Sequence, residues 1–285
     1  MSLALVNDLT SKRFLQQTAT RLLAWIGLIA SAGQIADWIF ELATHGWWAG
    51  LLLALCVLGL PLAIWSSWPR PIEETYETPN TSIRIVKGDL FAQQDHLVIG
   101  TCDTVDTATP HIIARGSLQG IALERLYNND AAKLDTDLAA ALAGIEPAGD
   151  IAKEGKTTRY PLGTVAVINH PPRQLYFVAY TEMDENNNAH GTPDGLWLSL
   201  NSLWAAVARR ANGGTICMPV IGGGMSRMSN IVPNQDSIRF TILSFMFASR
   251  KSRVCDELRI VLRPQDYEKL DRLELQAFLT SLKPS

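Results

Sequence analysis

Met218-Pro219-Val220-Ile221-Gly222-Gly223-Gly224-Met225-Ser226-Arg227 follows directly on the apolar run Thr215 to Met218 and is the most informative stretch of the chain. A short apolar run delivering consecutive glycines reads as a buried strand that ends in a loop. Glycines let the backbone approach a ligand closely and adopt conformations other residues avoid, so that successive amides converge on phosphate oxygens. The stretch matches neither GxxxxGK followed by Ser or Thr nor GxGxxG with a suitably placed acid, which weakens the nucleotide-hydrolase and dinucleotide-dehydrogenase readings. Taken alone, a glycine triplet is also what a plain turn looks like.

Outward from this loop, further short apolar runs read as strands at Ile83 to Val86, Leu97 to Gly100, Thr164 to Ile168, Leu175 to Tyr180 and Leu258 to Leu262. Between them, apolar residues recur at helical spacing near Leu118 to Tyr127, Ala131 to Ala143, Gly195 to Ala211, Ser237 to Arg250 and Gln265 to Leu282. Strands interleaved with helices predict an α/β layered domain with a sheet of about six strands. The polar run Asp184 to Asn188 reads as a loop. With 285 residues, 47% hydrophobic and 19% charged, the chain has room for one such domain and an accessory segment. A net charge of -3 offers no general attraction for a nucleic-acid backbone. The four cysteines form no CxxC and the five histidines no HExxH, so neither a metal site nor a disulfide framework is signalled, and the soluble part is expected in a reducing compartment.

The accessory segment is N-terminal. Trp47 to Trp65, WWAGLLLALCVLGLPLAIW, carries no charge, and at about 1.5 Å per residue it nearly matches a hydrocarbon core of about 30 Å. Trp47, Trp48, Trp65 and Trp68 sit where indoles prefer the headgroup region. Leu22 to Phe40 is also apolar enough to span, although Gln34 and Asp37 interrupt it and Glu41 follows. Two transmembrane helices, about 22–41 and 47–66, are therefore expected as an antiparallel hairpin within residues 1–70, the soluble domain occupying 71–285. Lys12, Arg13, Arg21 and Arg70 flank the hairpin and its turn carries no Lys or Arg, which places both termini in the cytoplasm of a multi-pass inner-membrane protein. A cleaved signal peptide fits less well, because the apolar stretch is too long and a second span follows. Ser31, Gln34, Asp37 and Glu41 share one helix face. Such a stripe either faces other subunits or a watery path, or simply reaches water near the interface. Small residues from Gly27 to Gly33 permit close helix packing and favour a homo-oligomer.

Two other segments of the soluble domain carry chemistry. Gly88-Asp89-Leu90 closes the first strand, where a carboxylate can accept from an exocyclic amine, although Gly-Asp there is usually a turn. The second strand runs into Gly100-Thr101-Cys102-Asp103-Thr104, and Ser117-Leu118-Gln119-Gly120 opens a helix whose free amides are ready donors to an anion, or form a plain capped start.

In this order, these pieces resemble the macro domain over about Ser82 to Leu282, most specifically in Gly88-Asp89 and Pro219 to Gly224. The resemblance implies a macro-type α/β/α fold with a mixed sheet and an ADP-ribose-like ligand, with no cofactor and no metal. It gives Asp89 the adenine amine, with Leu90 beside it, and assigns Val220, Ile221, Gly222, Gly223, Gly224, Met225, Ser226 and Arg227 to the diphosphate and distal-ribose side. Thr101, Cys102 and Asp103, with Ser117, Leu118, Gln119 and Gly120, would form the opposite wall. Catalytic members carry an Asn-Ala-Ala-Asn type run after the second strand; here it is Gly100-Thr101-Cys102-Asp103, so the chain is expected to bind without turnover and to have no catalytic residue. Asp103 and Asp106 are the acids a hydrolytic alternative would call upon.

Two membrane helices followed by a divergent macro domain resemble the membrane-bound effector of Thoeris-type bacterial antiphage defence, a likeness carried by VIGTCDTVDT, SLQG and MPVIGGGMSR. That resemblance implies a TIR-domain enzyme as functional partner, an ADP-ribose-derived signal such as a histidine conjugate, and membrane damage that ends in abortive infection. Tyr180 to Asn187 would then supply polar contacts to the conjugate. A tethered ADP-ribosyl hydrolase and a non-enzymatic reader of ADP-ribosylated partners are the alternatives.

Overall fold

In the computed structural model, which describes residues 12–40, 46–67, 71–221 and 234–284, the chain divides into two units: Met1–Arg70 with Asp271–Glu274, and Pro71–Leu270 with Leu275–Ser285. The first holds helices α1 (Lys12–Phe40) and α2 (Gly46–Ser67). The indole of Trp25 donates to the Leu55 carbonyl at 3.0 Å. A Cβ at Gly59 would lie 2.0 Å from the Trp25 ring, so the missing side chain is what lets the two helices approach there. Of the exposed large apolar side chains among the described residues, all but Leu198 and Phe247 lie on α1 and α2.

One segment of α1, Phe14–Trp38, is long and apolar enough to cross a membrane; the apolar part of α2, Leu53–Trp65, is shorter. α1 starts well before the Leu22 boundary read from sequence, because helical backbone continues through a polar turn that hydropathy alone leaves out. Ser31 and Gln34 are exposed and Asp37 is half-buried; Glu41 lies outside the described residues.

The second unit is built on one mixed sheet. Its strands are β1 (Ile72–Tyr76), β2 (Thr81–Lys87), β3 (His96–Cys102), then the short pair β4 (Gly149–Asp150) and β5 (Thr158–Arg159) that stands apart, then β6 (Val165–His170), β7 (Arg173–Met183), β8 (Ala189–His190), β9 (Thr215–Met218) and β10 (Glu257–Leu262). The order is β1-β2-β10-β9-β3-β7-β6, with β8 paired to β7. From β2 to β7 all pairings are parallel, and β1 and β6 add antiparallel edges. The helices α3 (Leu118–Tyr127), α4 (Ala131–Leu142), α5 (Pro193–Arg210), α6 (Asn234–Lys251) and α7 (Arg272–Ser281) supply the layers.

Strand alternation sends neighbouring side chains to opposite cores. Val98, Tyr176, Val178, Ile216 and Met218 face one core with Leu200, Trp204, Ile242 and Phe245 of α5 and α6. Leu97, Ile99, Leu175, Phe177 and Cys217 face the other with Leu123, Leu134 and Leu138 of α3 and α4. The result is an α/β/α layered domain, the architecture that the macro-domain resemblance implies. Trp204, fully buried, donates Nε1 to Ser244 Oγ at 2.9 Å, so its polar edge is satisfied inside the core.

Two local expectations are corrected. The first strand read from sequence, Ile83 to Val86, is preceded by another, β1: Ile72 and Tyr76 are buried while Glu73 is exposed, a period-two pattern that the glutamates mask. Gln276 holds this edge by mimicking a peptide, its Oε1 accepting from Glu73 N–H at 3.1 Å and its Nε2 donating to Glu73 O at 3.0 Å. The single helix read over Gln265 to Leu282 is instead a turn, Pro264–Tyr267, followed by α7, because the break allows Leu270 to turn into the core.

Because β1 is part of the domain, Ile72→Ala is expected to cost about 2–5 kcal/mol. Tyr76→Phe, which deletes the hydroxyl donated to the Leu279 carbonyl at 2.8 Å, is expected to cost about 1 kcal/mol. Urea unfolding reads both; midpoints equal to the parent's would show that residues 72–76 add nothing to the stability of the domain.

Candidate functional site

β3 and β7 run in register from Leu97↔Leu175 to Thr101↔Ala179, but Cys102 pairs with Thr181, which leaves Tyr180 as an extra residue in β7. Such a bulge re-aims a side chain at a strand end. Gly100 makes room for it, since a Cβ there would lie 2.5 Å from the Tyr180 ring. Gly100, Thr101, Cys102, Tyr180, Thr181 and Met183 thereby wall a cavity of about 370 Å³ at the carboxyl ends of two adjacent parallel strands. That lies toward the lower end of the roughly 300–1,000 Å³ typical of small-molecule pockets. Ile112, Ile113, Ala114, Ser117 and Gln119 close one side, and Asn187, Asn188 and Ala189 the other.

The α3 end of the cavity is rigidly wired. Ser117 caps the helix, its Oγ accepting from Gly120 N–H at 3.0 Å and donating to Ala114 O at 2.7 Å. A Cβ at Gly120 would lie 2.5 Å from that same carbonyl, so the turn requires glycine at this point. Gln119 is buried, accepting from Thr101 Oγ1 at 3.1 Å and donating to the Asp106 carbonyl. It ties the start of α3 to both β3 and the turn that follows it.

That turn buries two carboxylates. Asp103 accepts from Met183 N–H at 2.8 Å and Arg159 Nε at 2.6 Å. Asp106 accepts from Thr104 Oγ1 at 2.6 Å, Lys153 Nζ at 2.7 Å and Lys156 N–H at 2.8 Å. Lys153 is as buried as its partner, so this pair is held by geometry rather than by solvent. Both acids serve the scaffold, and neither lines the cavity.

The far wall is the hairpin from β7 to β8. Asp184 organises it and keeps its charge: the Asn188 N–H and the His190 ring hold its carboxyl well below the usual range. A depressed pKa means that this clamp is in full force above the ordinary Asp value of about 4 and is lost only as pH falls through the lower folded-state value. The described cysteines are all free thiols. Burial pushes Cys217 and Cys255 up to about 12, so neither is a nucleophile at neutral pH. Among the described residues, no cluster of His, Cys, Asp and Glu could hold a metal.

Of the residues singled out from sequence, Thr101, Cys102, Ser117 and Gln119 line this one cavity, together with Tyr180, Thr181, Met183 and Asn187 of the loop read over Tyr180 to Asn187. Asp89 does not: it caps a 3-10 turn through Phe91 N–H at 3.0 Å and pairs with Arg125. Leu90 is buried in the second core and Leu118 packs against it, while Ile221 is buried in the first core with Val220 against it. Gly222, Gly223, Gly224, Met225, Ser226 and Arg227 lie outside the described residues. Ile112 to Ala114 were missed, and nothing in the sequence but an apolar pair inside a turn-rich stretch marks them.

No curated protein matches the chain significantly. Among solved structures, the Oceanobacillus iheyensis macrodomain with ADP is similar at 13% identity and a TM-score of 0.50, covering 74% of this chain and 98% of that one. A variant of the same macrodomain with ADPR gives 13% identity and a TM-score of 0.50, covering 73% and 99%. At such identity the likeness is one of fold. The model of the family described as Thoeris protein ThsA, Macro domain, matches residues 83–263, well over half of the sequence, and the chain therefore belongs to that family.

Proposed function

We propose that the chain is a membrane-anchored sensor and effector of antiphage defence that binds an ADP-ribose-derived signal and then rearranges or oligomerises to disrupt the membrane. The observation that carries the reading is the cavity at the carboxyl ends of β3 and β7, in a domain of the ThsA macro family. Ligands of open α/β sheets bind outside the carboxyl ends of strands. The ADP and ADPR in the O. iheyensis macrodomain structures supply the ligand class. In this reading the signal, a histidine conjugate of ADP-ribose made by a TIR-domain partner, enters with its distal end in the cavity. Asp89 and the loop Val220 to Arg227 serve the adenine and diphosphate.

The membrane part of the proposal rests on α1 and α2 and the apolar side chains they expose. Together they form a multi-pass anchor whose Ser31, Gln34, Asp37 and Glu41 stripe meets other subunits in the assembled state, leaving both termini cytoplasmic. A ligand shifts such an equilibrium only if it favours the assembled state. Binding without turnover is the preferred chemistry, because Asp103 and Asp106, the acids nearest the cavity strand, already have their oxygens committed.

Calorimetric titration of the detergent-solubilised full chain is expected to give micromolar or tighter binding of ADP-ribose or its histidine conjugate. Gly100→Val, which drives the Tyr180 ring from its seat, is expected to weaken that binding by about tenfold or more, a loss of about 1.4 kcal/mol. Unaltered affinity would separate the cavity from the ligand. Incubation with ADP-ribosylated protein is expected to release no ADP-ribose; steady release would establish the hydrolase instead. In ligand-triggered dye leakage from vesicles, Gln34→Leu with Asp37→Leu is expected to retain ligand affinity and reduce leakage, and undiminished leakage would remove the stripe from the mechanism.

A further inference from the structure

The hairpin between β7 and β8 is fixed almost entirely from one residue. Asp184 Oδ1 accepts from the N–H groups of Asn186 at 2.9 Å and Asn188 at 2.8 Å. Its backbone closes the turn, Asp184 N–H donating to Asn188 O at 3.0 Å and Asn187 N–H to Asp184 O at 3.1 Å. Its Oδ2 accepts from Asn188 Nδ2 at 3.1 Å and meets His190 Nε2 at 3.0 Å. On the strand side, Asp103 Oδ1 fixes Met183 N–H. The loop is therefore a shaped wall rather than a slack connection.

Asn187 stands in the middle of this frame at a φ of 60°. It lines the cavity, and its Oδ1 is buried with no hydrogen-bond partner. Among the described residues, Thr18, Thr241 and Ser249 also carry such an atom, and none of them lines the cavity. A left-handed φ explains a choice among glycine, asparagine and aspartate. It does not explain a buried acceptor, since glycine would satisfy the backbone without one. An acceptor sealed from water is unfavourable until a donor reaches it.

The surroundings select the donor. Ile112, Ile113 and Met183 give the cavity apolar faces. At the hairpin, Glu182 and Glu185 are exposed, the nearby Arg159 is occupied by Asp103 and Glu182, and the His190 ring meets Asp184. This excess of carboxylate favours a nitrogenous group, ring or ammonium, over an anionic one.

We propose that Asn187 is the specificity-determining residue for the ligand's terminal group, its Oδ1 accepting a hydrogen bond from an N–H carried beyond the distal ribose. This rests on the ADP-ribose reading of the cavity and adds to it the residue that tells the signal's terminal group from that of ADP-ribose itself. The Asp184 clamp holds the acceptor in place before the ligand arrives, so little ordering is left for binding.

The test titrates the detergent-solubilised full chain with three probes: ADP-ribose, its histidine conjugate, and its methyl glycoside, whose terminal group has no N–H. The parent is expected to prefer the conjugate. Asn187→Gly, which keeps the left-handed turn, is expected to lower conjugate affinity by about tenfold and to change the other two by less than about twofold. Its melting temperature should not fall, because an unpartnered acceptor has been removed. Asn187→Asp, which restores the acceptor and tolerates the same φ, is expected to recover conjugate binding relative to Asn187→Gly. Equal losses for all three probes would make Asn187 a support of the hairpin and overturn the inference, as would an unaltered conjugate affinity. A parent that binds ADP-ribose and the conjugate equally overturns the inference and leaves the cavity reading standing. A parent that binds none of the probes overturns both.

Discussion

Two carboxylates withdrawn from water govern the geometry of the cavity. Asp103 and Asp106 are only 2% and 1% exposed, and a buried charge persists only where its partners are complete. Asp103 reaches across to β7 at Met183 and outward to Arg159; Asp106 gathers Thr104, Lys153 and Lys156. Between them Val105 is forced to a φ of 51°, which a β-branched residue adopts only under constraint. The turn after β3 is thus over-determined, and Thr101 and Cys102, immediately before it, inherit a fixed position. Gln119 extends the same wiring to α3 by binding the Asp106 carbonyl on one side and Thr101 on the other.

The same wiring fixes the shape of the pocket. In this turn the carboxylate oxygens accept from an arginine, a lysine, a hydroxyl and backbone amides, and these bonds hold the strand end in place. What remains facing the cavity is neutral: hydroxyls, amides, a thiol and apolar side chains. Such a lining suits recognition, where discrimination comes from which polar atoms are left unpaired by the wrong ligand.

How much of this was legible beforehand follows from the range of the signals. The central parallel strands β3, β7 and β9 were readable because each carries a short apolar run buried on both faces. β1 was not, because its burial alternates through glutamates, and the side chain that holds its outer edge, Gln276 of α7, is distant in sequence. Thr101, Cys102, Ser117 and Gln119 were legible as a strand end and a helix start. Asp89 was legible as a strand-end carboxylate; its pairing with Arg125 is a tertiary contact that no local pattern announces. The bulge at Tyr180 was invisible for the same reason: it exists only in the register between β3 and β7, although glycine at 100 is its trace in the sequence.

For the proposed sensor, the position of the hairpin matters as much as its contents. β8 ends at His190, and Thr192 caps α5 two residues later, its Oγ1 accepting from Gly195 N–H at 3.0 Å. Within α5, Ser199 donates to the carbonyl of Ala179, the residue just before the bulge, at 2.9 Å. The cavity wall and the helix behind the sheet are therefore joined twice, once through the chain and once through this hydrogen bond. A ligand that changes the hairpin has a short physical route to α5 and to α6 packed beside it through Trp204 and Ser244. Close-packed layers do not absorb such a change locally, since interiors at crystal-like density transmit strain. Recognition at the strand ends and a response on the outer helical face are thus compatible with one rigid domain, provided the ligand binds one arrangement of those helices more tightly than the other.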